Sequence, residues 1–422
     1  MVSANAKYWI LLTQAIGYNT PKAKKLAEKY SDIAKFFNGG ESERRLCGLF
    51  NSVELNALSS VKLDSAVDII NRCNQLNYSI ITIDDPEYPE RLYNIYAPPA
   101  VLYVSGKLPD FDSKLSVGIV GTRRASLYGI ENSYKIAYAL AKYNTVVVSG
   151  GALGVDCASH RGVLAANGVT VCVRGCGINS HYLRDNERMR EAITEKGAVI
   201  SEYPPDEEPR GFYFPARNRI IAALSDGLLL IEAGKKSGSL ITANLALEMG
   251  KDLFALLGNN SPKNEGSNSR IKEGTAIPVT DFMDILANYD CKNLSEDMVD
   301  FDNILLADIE AIPVKRSNKA ASIPVLREKK ENTAVKPPEK RAETKKPKAE
   351  SSAPSQKPVH KKDIKLNGDA KLVYNYLSAE PVHIDKIAED LGLPVNRVLC
   401  TLTLLEVQGL ARSLQGRNFV LK

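Results

Sequence analysis

The sequence predicts an α/β protein built on an open parallel sheet with helices on both faces. Three observations carry this. Between residues 116 and 288, short apolar runs alternate with amphipathic helical segments, the pattern of repeated strand–helix–strand units. The runs are apolar throughout, as strands covered on both faces must be. Several end in glycine- or serine-rich, often basic turns, and in such sheets ligands bind at the carboxyl ends of the strands.

Taken in order, strands are expected at 117–120, 145–148, 169–173, 198–201, 227–231 and 252–257. Helices are expected at 128–143, 215–224 and 239–249, the last stopped by Gly250. The first strand and its turn read VGIVGTRRAS, and the rest of the chain is organised around it. Gly121 allows a sharp turn, and Thr122, Arg123, Arg124 and Ser126 place hydroxyl and guanidinium donors where the next helix begins. Free N–H groups and partial positive charge at a helix start, joined by two arginines, make an anion site that suits phosphate.

Further loops converge on the same edge. Ser149 and Gly150 follow the second strand, and a GCG turn (175–177) the third. FYFPARNR (212–219), with Arg217, Asn218 and Arg219, precedes the fifth, and Lys235, Lys236, Gly238 and Ser239 follow it. Glycine lets a ligand approach the backbone, serine, lysine and arginine bind phosphate oxygens, and Tyr213 or Phe214 offers a stacking face. Two nucleotide signatures fail. A dinucleotide fingerprint started at Gly118 needs glycine where Val120 and Arg123 stand, and a phosphate-loop pattern needs glycine at Leu229 and Ser or Thr at Lys236.

The flanks differ in kind. Residues 7–75 show helical periodicity, with Pro21 opening a helix. The segment around Gly17 and Tyr18 is similar to a helix–hairpin–helix turn, but Tyr18 replaces its second glycine, which favours packing on a neighbour over a DNA contact. A proline- and tyrosine-rich connector (82–106) is expected to pack on a surface. Residues 315–365 hold 16 Lys+Arg against 6 Asp+Glu in a chain of net charge +5, so the remainder is acidic by five and any nucleic-acid site on it must be a local groove. That stretch reads as a disordered linker, serving as a tether or as a loose hold on nucleic acid. The end (370–377, 384–391, 394–408, 412–421) has the winged-helix pattern, yet its third helix carries only Arg397 beside Glu406, so protein contact or a structural use is favoured over DNA reading.

Seven scattered cysteines, with 172 and 176 alone as a CxxxC, suit a reduced cytoplasmic protein without metal. No run is long enough for a membrane span, and no signal-peptide pattern opens the chain.

VGIVGTRRAS, SGGALGVDCASHRG, the GCG turn, FPARNRIIAALS and SGSLITANLALEMGKDLFALLG, in this order and after the connector DPEYPERLYNIYAPPAVLYVSG, resemble the bacterial DNA-processing protein DprA (Smf) family over about residues 80–290. The resemblance implies an extended Rossmann-like domain that binds single-stranded DNA without cutting it and dimerises. It also implies loading of RecA recombinase during natural transformation, with no cofactor. Its motifs put contacts at Gly121, Thr122, Arg123 and Ser126, then Arg217, Arg219 and the Lys235–Ser239 loop. Leu153 and the run from Tyr182 to Asn186 depart from the family pattern. The expected domains are a helical SAM/helix-hairpin-helix-like part (1–78), the Rossmann-like domain (79–290), the linker (291–365) and the winged helix (366–422). Self-association is expected near residues 245–257, from their apolar density.

Two other classes of function compete with this reading. A nucleotide phosphoribohydrolase on this sheet type wants a glutamate close behind its glycine loop, and Glu248 lies too far along. Asp156 and His160 share a helix face, for which a core or capping role is the commoner reason. A winged-helix regulator is disfavoured by its third helix. The chain is read as a non-enzyme.

Overall fold

The computed structural model describes residues 3–289, 299–304 and, with short gaps, 369–421. It divides into two units, one running to Ser322 and the other from Ile323.

The first unit opens with six helices, α1 (Ala6–Ile16), α2 (Lys22–Lys29), α3 (Ile33–Asn38), α4 (Gly40–Cys47), α5 (Ser52–Ser60) and α6 (Leu63–Gln75). Trp9, Ile10 and Leu12 of α1 are buried and belong to the same apolar cluster as the sheet residues Ile80, Leu102 and Tyr103. The helical part therefore shares a core with the sheet. The turn after α1 packs on the sheet domain through Tyr18, whose ring meets Tyr203 at 4.7 Å and Tyr213 at 6.1 Å, both edge-on. Arg72 of α6 adds an ion pair to Asp206 at 2.7 Å.

The sheet has nine strands in the order β1-β2-β6-β5-β4-β3-β7-β8-β9. They are β1 (Ser79–Thr82), β2 (Val101–Gly106), β3 (Ser116–Val120), β4 (Val146–Ser149), β5 (Thr170–Val173), β6 (Ala198–Ser201), β7 (Gly227–Leu230), β8 (Asp252–Leu256) and β9 (Ile277–Val279). From β6 to β9 every pairing is parallel. The antiparallel strands β1, which leads into the connector, and β2, its last six residues, finish one edge. The connecting helices are α7 (Glu90–Tyr93), α8 (Leu127–Lys142), α9 (Val155–Ala165), α10 (Glu187–Thr194), α11 (Tyr213–Leu224), α12 (Ser239–Glu248), α13 (Glu265–Lys272) and α14 (Met283–Leu286). The six expected strands fall within one residue of their places. Alternate residues serve opposite faces: Val117, Ile119 and Leu229 join α8 in one cluster, whereas Val120, Leu228 and Leu230 join α11 and α12 in the other. Two-sided burial is why these strands read as continuous apolar runs.

Two expectations change here. Packed residues occur within the stretch expected as linker (291–365): the Phe301 ring lies tilted to Phe282 at 5.8 Å, and Ile304 is buried in the cluster on the α8 side of the sheet. The apolar density of 245–257 goes mainly into the sheet: Leu253, Phe254, Ala255 and Leu256 are at most 2% exposed, and only Leu257 and, before that stretch, Ile241 stand out.

The second unit holds α15 (Asp369–Tyr376), α16 (Ile384–Leu391) and a small antiparallel sheet β10-β12-β11, from Val382–His383, Asn418–Leu421 and Ala411–Leu414. Val373, Ile384, Leu402 and Phe419 share its core. The third expected helix (394–408) and the linker from 305 to 365 lie largely or wholly outside the described residues.

Candidate nucleic-acid interface

The turn 121–126 leaves β3 at the carboxyl edge of the sheet, as its sequence requires. Arg123 and Arg124 are exposed, and Gly121 and Thr122 half-buried. Thr122 Oγ1 accepts from the Arg124 N–H at 3.2 Å, which folds the turn on itself. The neighbouring loop closes against it: Gly154 takes φ +80°, and any Cβ there would lie 2.5 Å from the Thr122 carbonyl oxygen. That contact and the positive φ both demand glycine.

The Arg123 guanidinium lies over the Phe214 ring at 5.4 Å from its centre, a cation–π arrangement. Tyr182 backs Phe214 at 5.2 Å, and Gly175 packs so closely that a Cβ would come within 2.8 Å of the ring. Two loops, the turn after β3 and the loop after β5, thus converge on one aromatic residue of α11 beside an exposed charge. Lys235 and Lys236 are exposed on the loop after β7, Lys235 facing Glu265 at 3.4 Å, and Gly238 is open.

Several expected contacts are spent inside the protein. Ser126 caps α8, accepting from the Gly129 N–H at 3.1 Å, while its own hydroxyl and N–H both donate to Glu232. The anion at that helix start is therefore the protein's own carboxylate. Ser149 is fully buried and donates to the Ile119 carbonyl at 2.7 Å. Arg217 is buried and donates to the carbonyls of Gly150 (2.9 Å) and Val173, tying the loops after β4 and β5 together. Asn218 accepts from Arg217 Nε, and Gly150 is wedged between Arg217 and Asp156. Arg219 is buried, holds the buried Glu202 with two bonds of 2.7 Å and donates to the carbonyls of Ala97 and Ala216. Ser239 is buried with its hydroxyl on Ser237. Tyr213 stacks on Tyr203 at 3.9 Å and donates to Glu207, so it offers no open face. The exposed ring is Phe212, on a groove of about 620 Å³ shared with Gln14, Tyr18 and Arg210.

Of the Asp156 and His160 pair on α9, His160 is fully buried with Nδ1 2.8 Å from Thr170 Oγ1, and burial pulls its pKa down to about 3. Asp156 is raised to about 6 by burial, against the opposing pull of Arg217 and the Ala152 N–H. The residue missed from the sequence is Glu232. Its signal was a carboxylate ending the buried run LLLIEA just before a basic loop.

Fold and site together define an α/β protein of the open parallel-sheet class whose carboxyl edge presents arginine, lysine and an aromatic face. The DNA recombination-mediator protein A family matches residues 79–290, and the DprA winged helix domain matches residues 347–417. The Smf protein of a Synechocystis strain is 29% identical over 99% of both chains, and the DNA processing protein DprA of Streptococcus pneumoniae 39% identical over 50% of this chain and 73% of that one. The X-ray structure of that pneumococcal protein superposes with a TM-score of 0.59 at 31% identity, covering 69% of this chain and 99% of its own. The chain belongs to the DprA/Smf family of DNA-processing, recombination-mediator proteins.

Proposed function

We propose that this chain binds single-stranded DNA in the cytoplasm without cutting it, as a dimer, and loads RecA recombinase onto DNA entering by natural transformation. The observation that carries the binding step is the exposed Arg123 guanidinium lying over the Phe214 ring. Single strands offer both a phosphate for the charge and an unpaired base for the ring, whereas duplex keeps its bases stacked inside. Arg124, Lys235 and Lys236 extend the charge along the same edge. A non-enzymatic role is supported by His160, walled in and held neutral. Membership of a recombination-mediator family supports the RecA step, and exposed Ile241 and Leu257 support self-association.

The test is fluorescence anisotropy of labelled single strands and duplexes across a salt series. Single strands should bind more tightly and lose affinity steeply with salt, as released counterions require. Arg123→Ala should cost roughly 1–3 kcal/mol, similar for every base sequence, and flatten the salt slope. Equal affinity for duplex and single strand, with Arg123→Ala unchanged, refutes the reading.

A further inference from the structure

Glu232 is only 2% exposed, yet it stands at the start of α8, where the sequence invites an external anion. One carboxylate oxygen accepts from the Ser126 N–H at 2.8 Å and the other from the Ser126 hydroxyl. Its backbone carbonyl accepts from the Thr122 N–H, also at 2.8 Å. A single residue therefore grips both ends of the turn that carries Arg123. Gly129 makes room for it, since a Cβ there would fall 2.7 Å from the carboxylate carbon. Three residues later the same chain presents Lys235 and Lys236.

We propose that Glu232 is a positioning residue for DNA binding: it occupies the anion place of α8, closes the Thr122–Ser126 turn and so sets Arg123 outward over Phe214. The role rests on the single-strand binding reading given above. A buried carboxylate beside a phosphate site opposes phosphate by charge alone. Removing it therefore strengthens binding if it acts only as a charge, and weakens binding if it positions the turn. The sign of the effect separates the two.

The experiment uses the full chain with Glu232→Ala and Glu232→Asp, and Arg123→Ala as the control. Thermal melts first establish that each variant is folded at the assay temperature. Glu232→Ala should bind a labelled oligothymidylate about tenfold more weakly, the loss expected when the Arg123–phosphate contact, one charge-assisted hydrogen bond, is misplaced, even though the chain carries one negative charge fewer. Sodium formate should restore part of that affinity, whereas sodium chloride at equal ionic strength should not. Glu232→Asp keeps the charge but withdraws the oxygens by one methylene, and should weaken binding severalfold, deciding the matter if the alanine variant does not fold. Without DNA, amide exchange at Ser126 and the adjoining turn should quicken in both variants, while Thr122, held by the Glu232 backbone carbonyl, and β3 stay protected. Wild-type exchange in this turn, or variants that bind as tightly as wild type or tighter, overturns the positioning role. Because exchange is read without DNA, failure of the binding reading itself shows separately, as an unmodified chain that ignores single strands or an Arg123→Ala variant without effect.

Discussion

Replacing Arg219 with leucine distinguishes a DNA contact from an internal ion pair. The Arg219 and Glu202 side chains are 6% and 2% exposed, and the guanidinium makes two 2.7 Å bonds to the carboxylate. It also satisfies the carbonyls of Ala97 and Ala216, so it links the connector to α11. Leucine leaves a buried, unpaired carboxylate, and breaking such a pair from one side costs about 3–5 kcal/mol. At roughly 2–4 °C per kcal/mol for a domain near this size, the melting temperature should fall by about 6–20 °C. The double variant Arg219→Leu, Glu202→Leu leaves no charge uncompensated and should recover most of the loss. Thermal unfolding followed by Trp9 fluorescence reads the stability, and anisotropy well below the transition reads the DNA affinity, which should change little. An unaltered melt together with weakened single-strand binding would refute the assignment and return Arg219 to the interface.

Gly162 of α9 faces α8 so closely that any Cβ would collide with the Tyr134 carbonyl oxygen. Gly162→Ala gains up to about 1 kcal/mol of helix propensity but incurs roughly 1–3 kcal/mol of overpacking, so denaturant unfolding should show net destabilisation. Asp156, raised to about 6 by burial, holds more protons folded than unfolded between the ordinary aspartate value and 6. Its stabilisation is full below that ordinary value and lost as pH rises through 6, so Asp156→Asn should flatten that part of a urea-midpoint profile between pH 4 and 7. Tyr18→Ala removes the ring packed on Tyr203 and Tyr213 and should cost about 2–3 kcal/mol, with proteolysis at 203–213 accelerated.

Strand positions, turn residues and the class of fold were legible in the sequence because they depend on local chemistry. An apolar run ending in glycine specifies a buried strand and its exit whatever surrounds it, and the motif order marked the family. The fate of each arginine was not legible. FPARNR holds two that look alike in sequence, yet Arg217 meets carbonyls 67 and 44 residues away and Arg219 a carbonyl 122 residues away. Burial is a property of the assembled fold, so only the structure separated these from the exposed Arg123. The α8 start follows the same rule. Its free N–H groups are implied by any helix start, but the carboxylate that fills the place comes from Glu232, 106 residues beyond Ser126. The sequence alone determined that glycine, serine and basic residues gather at this edge. Only tertiary structure decided that the helix start takes the protein's own carboxylate and leaves Arg123 turned outward, because which partner reaches a site depends on how distant strands are brought side by side.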